Sequence, residues 1–183
     1  LRKGVLFCVR HGSFWVAPHQ EKTGTMLRGS PTPHVVTWAR VAIPSGEAVC
    51  KIYNTHMGIL PWTARRAAKE LLARLDQDWN GRLQILAGDF NSRPSGALLR
   101  LLTAGTGGGP ASFRDVWVEA KERLGTGRTF HWGLGLPGPR LDLASVCRAS
   151  QEAAADWAWW SRPAVGRRPR SRRRWMRGST AYR

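Results

Sequence analysis

Apolar and polar positions alternate through the first third of the chain and give way to a helical period in the middle. Residues 5–9 and 13–17 are short apolar segments flanking Arg10-His11-Gly12, which predicts a hairpin. Residues 18–33 are rich in Pro, Gly, Ser and Thr and read as a loop. Residues 35–43 and 48–55 are predicted strands joined by a turn at Pro44-Ser45-Gly46-Glu47. Over residues 63–79 the period changes: Ala64, Ala67, Ala68, Leu71, Leu72, Leu75 and Trp79 form a helical stripe with the charged residues off it. Pro61 precedes this helix and Asn80-Gly81 supplies its stop. Residues 83–87 are an apolar run of strand length, and residues 97–102 predict a short helix. The glycines of residues 105–109 read as a linker, because they lack the Lys-Ser/Thr and the strand–loop–helix setting of a phosphate cradle. Residues 113–122 carry a rough helical spacing, and residues 129–132 and 141–146 complete the predicted strands. Taken alone, this order gives a mixed α/β chain.

Chemistry gathers where the predicted strands end. The run at 83–87 leads into Gly88-Asp89-Phe90-Asn91, and the strand before it leads into Asn54-Thr55-His56. Strand ends carry function because the sheet fixes their backbone while their side chains reach solvent. On continuing extended backbone, Asp89 and Asn91 fall on one side of the sheet and set a carboxylate beside an amide. Such a pair suits a phosphate and a hard cation, although an Asp-x-Asn after a strand is also a common turn. Downstream, Thr129-Phe130-His131 is followed by Arg140-Leu141-Asp142, another acid on a short apolar segment.

This ordered set, together with Gly12-Ser13-Phe14-Trp15-Val16 and Val36-Thr37-Trp38-Ala39-Arg40, resembles the endonuclease/exonuclease/phosphatase superfamily over roughly residues 1–146. The resemblance implies an α/β fold: a partial four-layer sandwich of two packed mixed sheets flanked by helices, lacking its first strands and its last strand. It implies a phosphoester hydrolase, phosphatase or phosphodiesterase/nuclease, that uses Mg²⁺, with Mn²⁺ as the alternative ion. The branch resembled favours a phosphatase or phosphodiesterase over a dedicated DNA repair nuclease. Its partner is a phosphate-ester substrate, nucleic acid included, and no partner protein is implied. By the same resemblance His56, Asp89, Asn91 and Asp142 are the catalytic positions. Asp89 orients or deprotonates water, Asn91 and His56 hydrogen-bond the phosphate, and Asp142 orients a histidine. Asp89 and Asn91 are the metal positions, and Asn54 and His131 border the substrate. Asn54 reads more as local backbone support than as a substrate contact, and His131 equally as packing. His11, His19 and His34 fall in turn or loop positions without ligand spacing.

The family pattern also has a glutamate on an early strand and an Asp-His pair near its end. No Asp-His pair occurs in this chain and no histidine follows His131, so little turnover is expected from the 183 residues.

Charge changes the picture only at the end of the chain. The net charge is +17, of which residues 147–183 supply +8 from 10 Arg and 2 acids, leaving +9 on residues 1–146. A basic body suits an enzyme of phosphate esters by raising the local anion concentration. Residues 147–183 form an Arg/Trp-rich tail with no amphipathic period, expected to be disordered or to arise from a shifted reading frame or misjoined exon. The competing reading is a non-enzymatic nucleic-acid-binding protein acting through this basic tail, its Arg on phosphates and its Trp on unpaired bases. Cys8, Cys50 and Cys147 have no metal or disulfide spacing and read as buried hydrophobes, which favours a reducing, cytoplasmic compartment. No apolar run approaches a membrane span.

Overall fold

A computed structural model describes residues 6–104, 113–130 and 138–148. Three strands open the chain: β1 (Phe7–Trp15), β2 (Val35–Ala42) and β3 (Ala48–His56). Helix α1 (Pro61–Gln77) leads to β4 (Leu83–Asp89) and α2 (Ala97–Ala104). A two-residue strand β5 (Arg114–Asp115) runs into the short helix α3 (Val116–Glu119), and β6 (Asp142–Arg148) completes the set. The six strands form one sheet in the order β1-β2-β3-β4-β6-β5. It is mixed: β3 and β4 run parallel across the α1 crossover, and the other neighbours pair antiparallel. The expected α/β class therefore holds, with one mixed sheet and its helices among the described residues.

Helix α1 forms where its stripe predicts, starting with Pro61 in its first turn, where a missing N–H costs nothing. Its inner face, Ala67, Ala68, Leu71, Leu72 and Leu75, packs with Phe14, Val36, Tyr53 and Leu86 of the sheet in one buried cluster that also takes in Leu98, Leu99 and Leu102 of α2. Each leucine of this cluster stabilises by roughly 1.5–3 kcal/mol when fully buried. The buried Gln84 amide in this layer donates to the Tyr53 hydroxyl at 3.2 Å and to the Leu75 carbonyl at 3.1 Å. The site is built against this rigid layer.

Four local expectations are corrected. The hairpin at Arg10-His11-Gly12 is instead the middle of one continuous strand with an irregularity between Cys8 and Arg10. Gly12 is there for close approach rather than for a turn, since a Cβ would lie 2.9 Å from the Trp38 ring on the facing strand. Residues 113–122 hold the two-residue β5 and only a four-residue helix, α3, capped by Asp115 Oδ1 accepting from the Trp117 N–H at 3.0 Å. Residues 129 and 130 are not in a strand. They still lie along residues 138–141, with Phe130 N–H donating to the Pro139 carbonyl at 3.2 Å and Leu141 N–H to Thr129 Oγ1 at 3.1 Å. Cys50 is buried as expected, but Cys8 is exposed on the edge strand. The glycine-rich linker, His131 and residues 149–183 lie outside the described residues. No helix among those described is long and apolar enough to cross a membrane.

Candidate active site

Parallel pairing of β3 and β4 brings two of the predicted residues together. His56 is the direct register partner of Asp89, and both stand at the C-terminal ends of their strands. Open α/β sheets place ligands outside these ends. His56 Nε2 lies 3.5 Å from Asp89 Oδ2, and the His56 side chain is 76% exposed against 32% for Asp89. The backbone there is fixed from both sides. Met57 N–H donates to the Asp89 carbonyl at 2.8 Å, and Phe90 N–H donates to the Leu141 carbonyl at 3.1 Å. The latter bond docks β4 onto the start of β6, whose first residue, Asp142, is the register partner of Asp89. His56, Asp89 and Asp142 therefore occupy one rank across three adjacent strands.

Gly88 makes this junction possible. Its φ is +129°, and a Cβ would lie 1.9 Å from the Thr55 carbonyl oxygen. No side chain fits at that point, so β4 approaches β3 closely at the residue before Asp89.

Asn91 arrives differently from the expectation. The backbone does not stay extended: Asn91 has φ +45°, and its N–H turns back to donate to Asp89 Oδ1 at 2.8 Å. Asparagine tolerates this left-handed conformation better than most residues. Its side-chain Nδ2 donates to the Met57 carbonyl at 2.8 Å. Asp89 is thus both a turn cap, through Oδ1, and the neighbour of His56, through Oδ2. Asn91 lines a cavity of about 590 Å³ together with Asn54, His56, Ile59, Leu60 and His34. Asn54, two residues before His56, is exposed on the same face of β3.

His34 was not predicted. The ring packs on Gly58, where a Cβ would lie 2.6 Å from Nε2, and Nε2 lies 3.1 Å from Ser30 Oγ. Burial pushes its pKa below the ordinary histidine value; a hydrogen bond with the His56 main chain opposes this, and the charge of His56 adds to it. A smaller adjoining cavity of about 240 Å³ brings in Ser92 and Arg93 of the loop after Asn91. No sequence signal marked His34, because only the β2–β3 pairing carries it beside residues 56–58.

The approach to Asp142 is held by a forked ion pair. Arg140 Nη1 donates to Asp115 Oδ1 at 3.0 Å, Nη2 pairs with Oδ2, and both side chains are largely buried. Such pairing fixes orientation as well as energy. Among the described residues no group of three or more His, Cys, Asp or Glu could hold a metal ion. What is present is oxygen chemistry, the Asp89 carboxylate and the Asn91 amide beside it. That fits Mg²⁺, which binds through one or two carboxylates and keeps waters or substrate oxygens for its other positions.

Comparison with known proteins gives the family and the fold. Residues 8–177 match the Endonuclease/Exonuclease/phosphatase family. No curated protein matches the chain. An endonuclease/exonuclease/phosphatase from Bacteroides vulgatus has a similar structure with a TM-score of 0.69 and 21% identity, over 79% of this chain and 56% of that one. A mannosyl-6-phosphatase of Bacteroides thetaiotaomicron aligns with a TM-score of 0.63 and 18% identity, over 79% and 54%. The D. rerio protein TDP2, solved with a single-strand DNA product, aligns with a TM-score of 0.55 and 18% identity, over 83% and 57%. The chain thus spans little more than half the length of these structures, and at such identities the likeness is one of fold.

Proposed function

The chain belongs to the endonuclease/exonuclease/phosphatase family, and on that premise we propose that His56, Asp89, Asn91 and Asp142 are its phosphoester-hydrolysing positions. The observation that carries this reading is the shared rank of His56 and Asp89 at two parallel strand ends, 3.5 Å apart at their side chains. His56 is exposed enough to turn a protonated ring nitrogen towards a non-bridging phosphate oxygen. Asp89 Oδ2, not taken by the Asn91 turn, orients a water for attack at phosphorus and accepts its proton. Asn91 is held by its two hydrogen bonds at the cavity wall, where its amide oxygen adds to the oxygen set around Asp89. Asp142 enters through its register position beside Asp89, as the acid that orients a histidine. Asn54 and, outside the described residues, His131 border the substrate.

Family members are in general dependent on divalent metals. Mg²⁺, or Mn²⁺, held by Asp89 and Asn91 would offset the charge on the phosphoryl oxygens. The substrate class is a phosphate monoester or a phosphodiester. Similar folds serve a mannosyl-6-phosphatase and a protein solved with a DNA product, which supports both without choosing. Turnover from these 183 residues is proposed to be slow, because the sequence holds no Asp-His pair for Asp142 to serve.

The test is release of p-nitrophenol from mono- and bis-p-nitrophenyl phosphate by the full chain, with Mg²⁺ and with EDTA. The expected result is slow, Mg²⁺-dependent release that falls at least tenfold in Asp89→Asn. Release indifferent to Mg²⁺ or to Asp89→Asn overturns the site assignment. Fast release overturns only the proposal of slow turnover.

A further inference from the structure

The register also builds a second charged site, at the far end of the same strands. Arg10 on β1 lies directly across from Arg40 on β2, and Arg40 directly across from Lys51 on β3. These three share one face of the sheet, and a cavity of about 120 Å³ opens over them, walled also by Trp38, Asp78 and Arg82. That is room for several waters or for one small polyatomic anion.

Among the described residues that line it, Arg10, Arg40 and Lys51 face a single carboxylate, Asp78, and that carboxylate is already engaged. Asp78 Oδ2 accepts from Lys51 Nζ at 2.7 Å and from the Tyr53 hydroxyl at 3.2 Å, with Arg74 Nε 3.5 Å away. The Lys51 ammonium is further held over the Trp38 ring, 4.1 Å from its centroid. Arg10 and Arg40, by contrast, have no carboxylate partner among the described residues. Like charges directly opposite on antiparallel strands destabilise a sheet. Two exposed arginines in direct register beside a fixed ammonium leave room for an anion that the described residues do not supply.

We propose that this cavity binds a phosphate group, as inorganic phosphate or as a phosphate carried on a larger molecule. Two guanidinium forks offer the paired N–H donors that phosphate oxygens accept, and Lys51 adds a point charge already oriented by Asp78. The site is separate from the hydrolytic positions. Lys51 and His56 are five residues apart on β3, about 17 Å along an extended strand. The odd separation puts them on opposite faces. The inference therefore stands or falls independently of the proposed hydrolysis.

The experiment is calorimetric titration of the full chain with inorganic phosphate, in EDTA and at constant ionic strength. Four variants are compared: Arg10→Gln/Arg40→Gln, Arg40→Lys, His56→Ala, and Arg65→Gln/Arg100→Gln, whose arginines are exposed on α1 and α2. The double change in the cavity is expected to weaken binding at least tenfold, and Arg40→Lys by less, since charge remains and the fork is lost. His56→Ala and the helix pair are expected to stay within twofold for this site. No binding by the unchanged chain, an undiminished affinity in Arg10→Gln/Arg40→Gln, or an equal loss in the helix pair each overturns the proposal. Circular dichroism melting confirms that the variants fold, and Arg40→Lys decides the matter should the double variant not fold. A short single-stranded oligonucleotide titrated in parallel identifies the source. A tenfold loss for both ligands supports a polymer phosphate in this cavity, and a loss for inorganic phosphate alone supports a small one.

Discussion

Gly88→Ala should damage this protein more than any conservative change on its surface, by an amount the backbone sets. At φ +129° an L side chain is strained, and holding one in a disfavoured region costs about 1–3 kcal/mol. The added Cβ would also sit 1.9 Å from the Thr55 carbonyl oxygen and 2.9 Å from the Thr55 nitrogen. Those are main-chain atoms of the neighbouring strand and cannot swing aside. Strands β3 and β4 must separate, and each ladder hydrogen bond lost there takes about 0.5–1.5 kcal/mol with it. With two such bonds lost the sum is about 2–6 kcal/mol, a large share of the roughly 5–15 kcal/mol that holds a domain folded. Gly46→Ala isolates the contact, because Gly46 also has positive φ (+86°) but nothing within 4 Å of an added Cβ. It should cost about 1 kcal/mol. The assay is urea unfolding of the full chain and both variants, read as the shift in midpoint at constant slope. Equal shifts in the two variants would refute the claim that β4 closes on Thr55 at Gly88.

The remaining predictions concern the core and His34. Leu86→Ala empties a fully buried position on the central strand and should cost about 2–5 kcal/mol in the same unfolding assay. His34 should titrate below its ordinary value of 6.5, as followed by its ring resonances in NMR. A histidine depressed in the folded state contributes stability present above the unfolded value, near pH 6.5, and lost as pH falls from there through the folded value. The urea midpoint should therefore decline on acidification in that window, and less so in His34→Gln.

Elements with a local cause were legible in the sequence. The α1 stripe, the turn at Gly46 and the strand ahead of Gly88 each follow from spacing within one segment, and the structure places them within a few residues. The strand ends that carry Asn54, His56 and Asp89 were legible in the same way. The reading failed where distant pairing decides. Gly12 reads as a turn residue because nothing local announces that the Trp38 ring covers it. His34 looks like a loop residue until β2 pairs with β3 and seats it on Gly58. Asn91 was placed by strand alternation, but the Asp89 side chain captures its N–H and ends the strand first. The rank of Arg10, Arg40 and Lys51 is invisible for the same reason, since three residues spread over about forty positions meet only through register. The expected boundary after residue 146 falls inside β6, near the end of the described residues.

We propose that the ends of β3 and β4 form a phosphate-handling centre. The most direct test is two-dimensional NMR of the imidazole rings during titration of the full chain with inorganic phosphate and Mg²⁺. A saturable shift of the His56 ring that needs Mg²⁺ and is lost in Asp89→Asn is expected, while His19 stays still. A His56 ring unmoved by phosphate, or moved equally in Asp89→Asn, would contradict it.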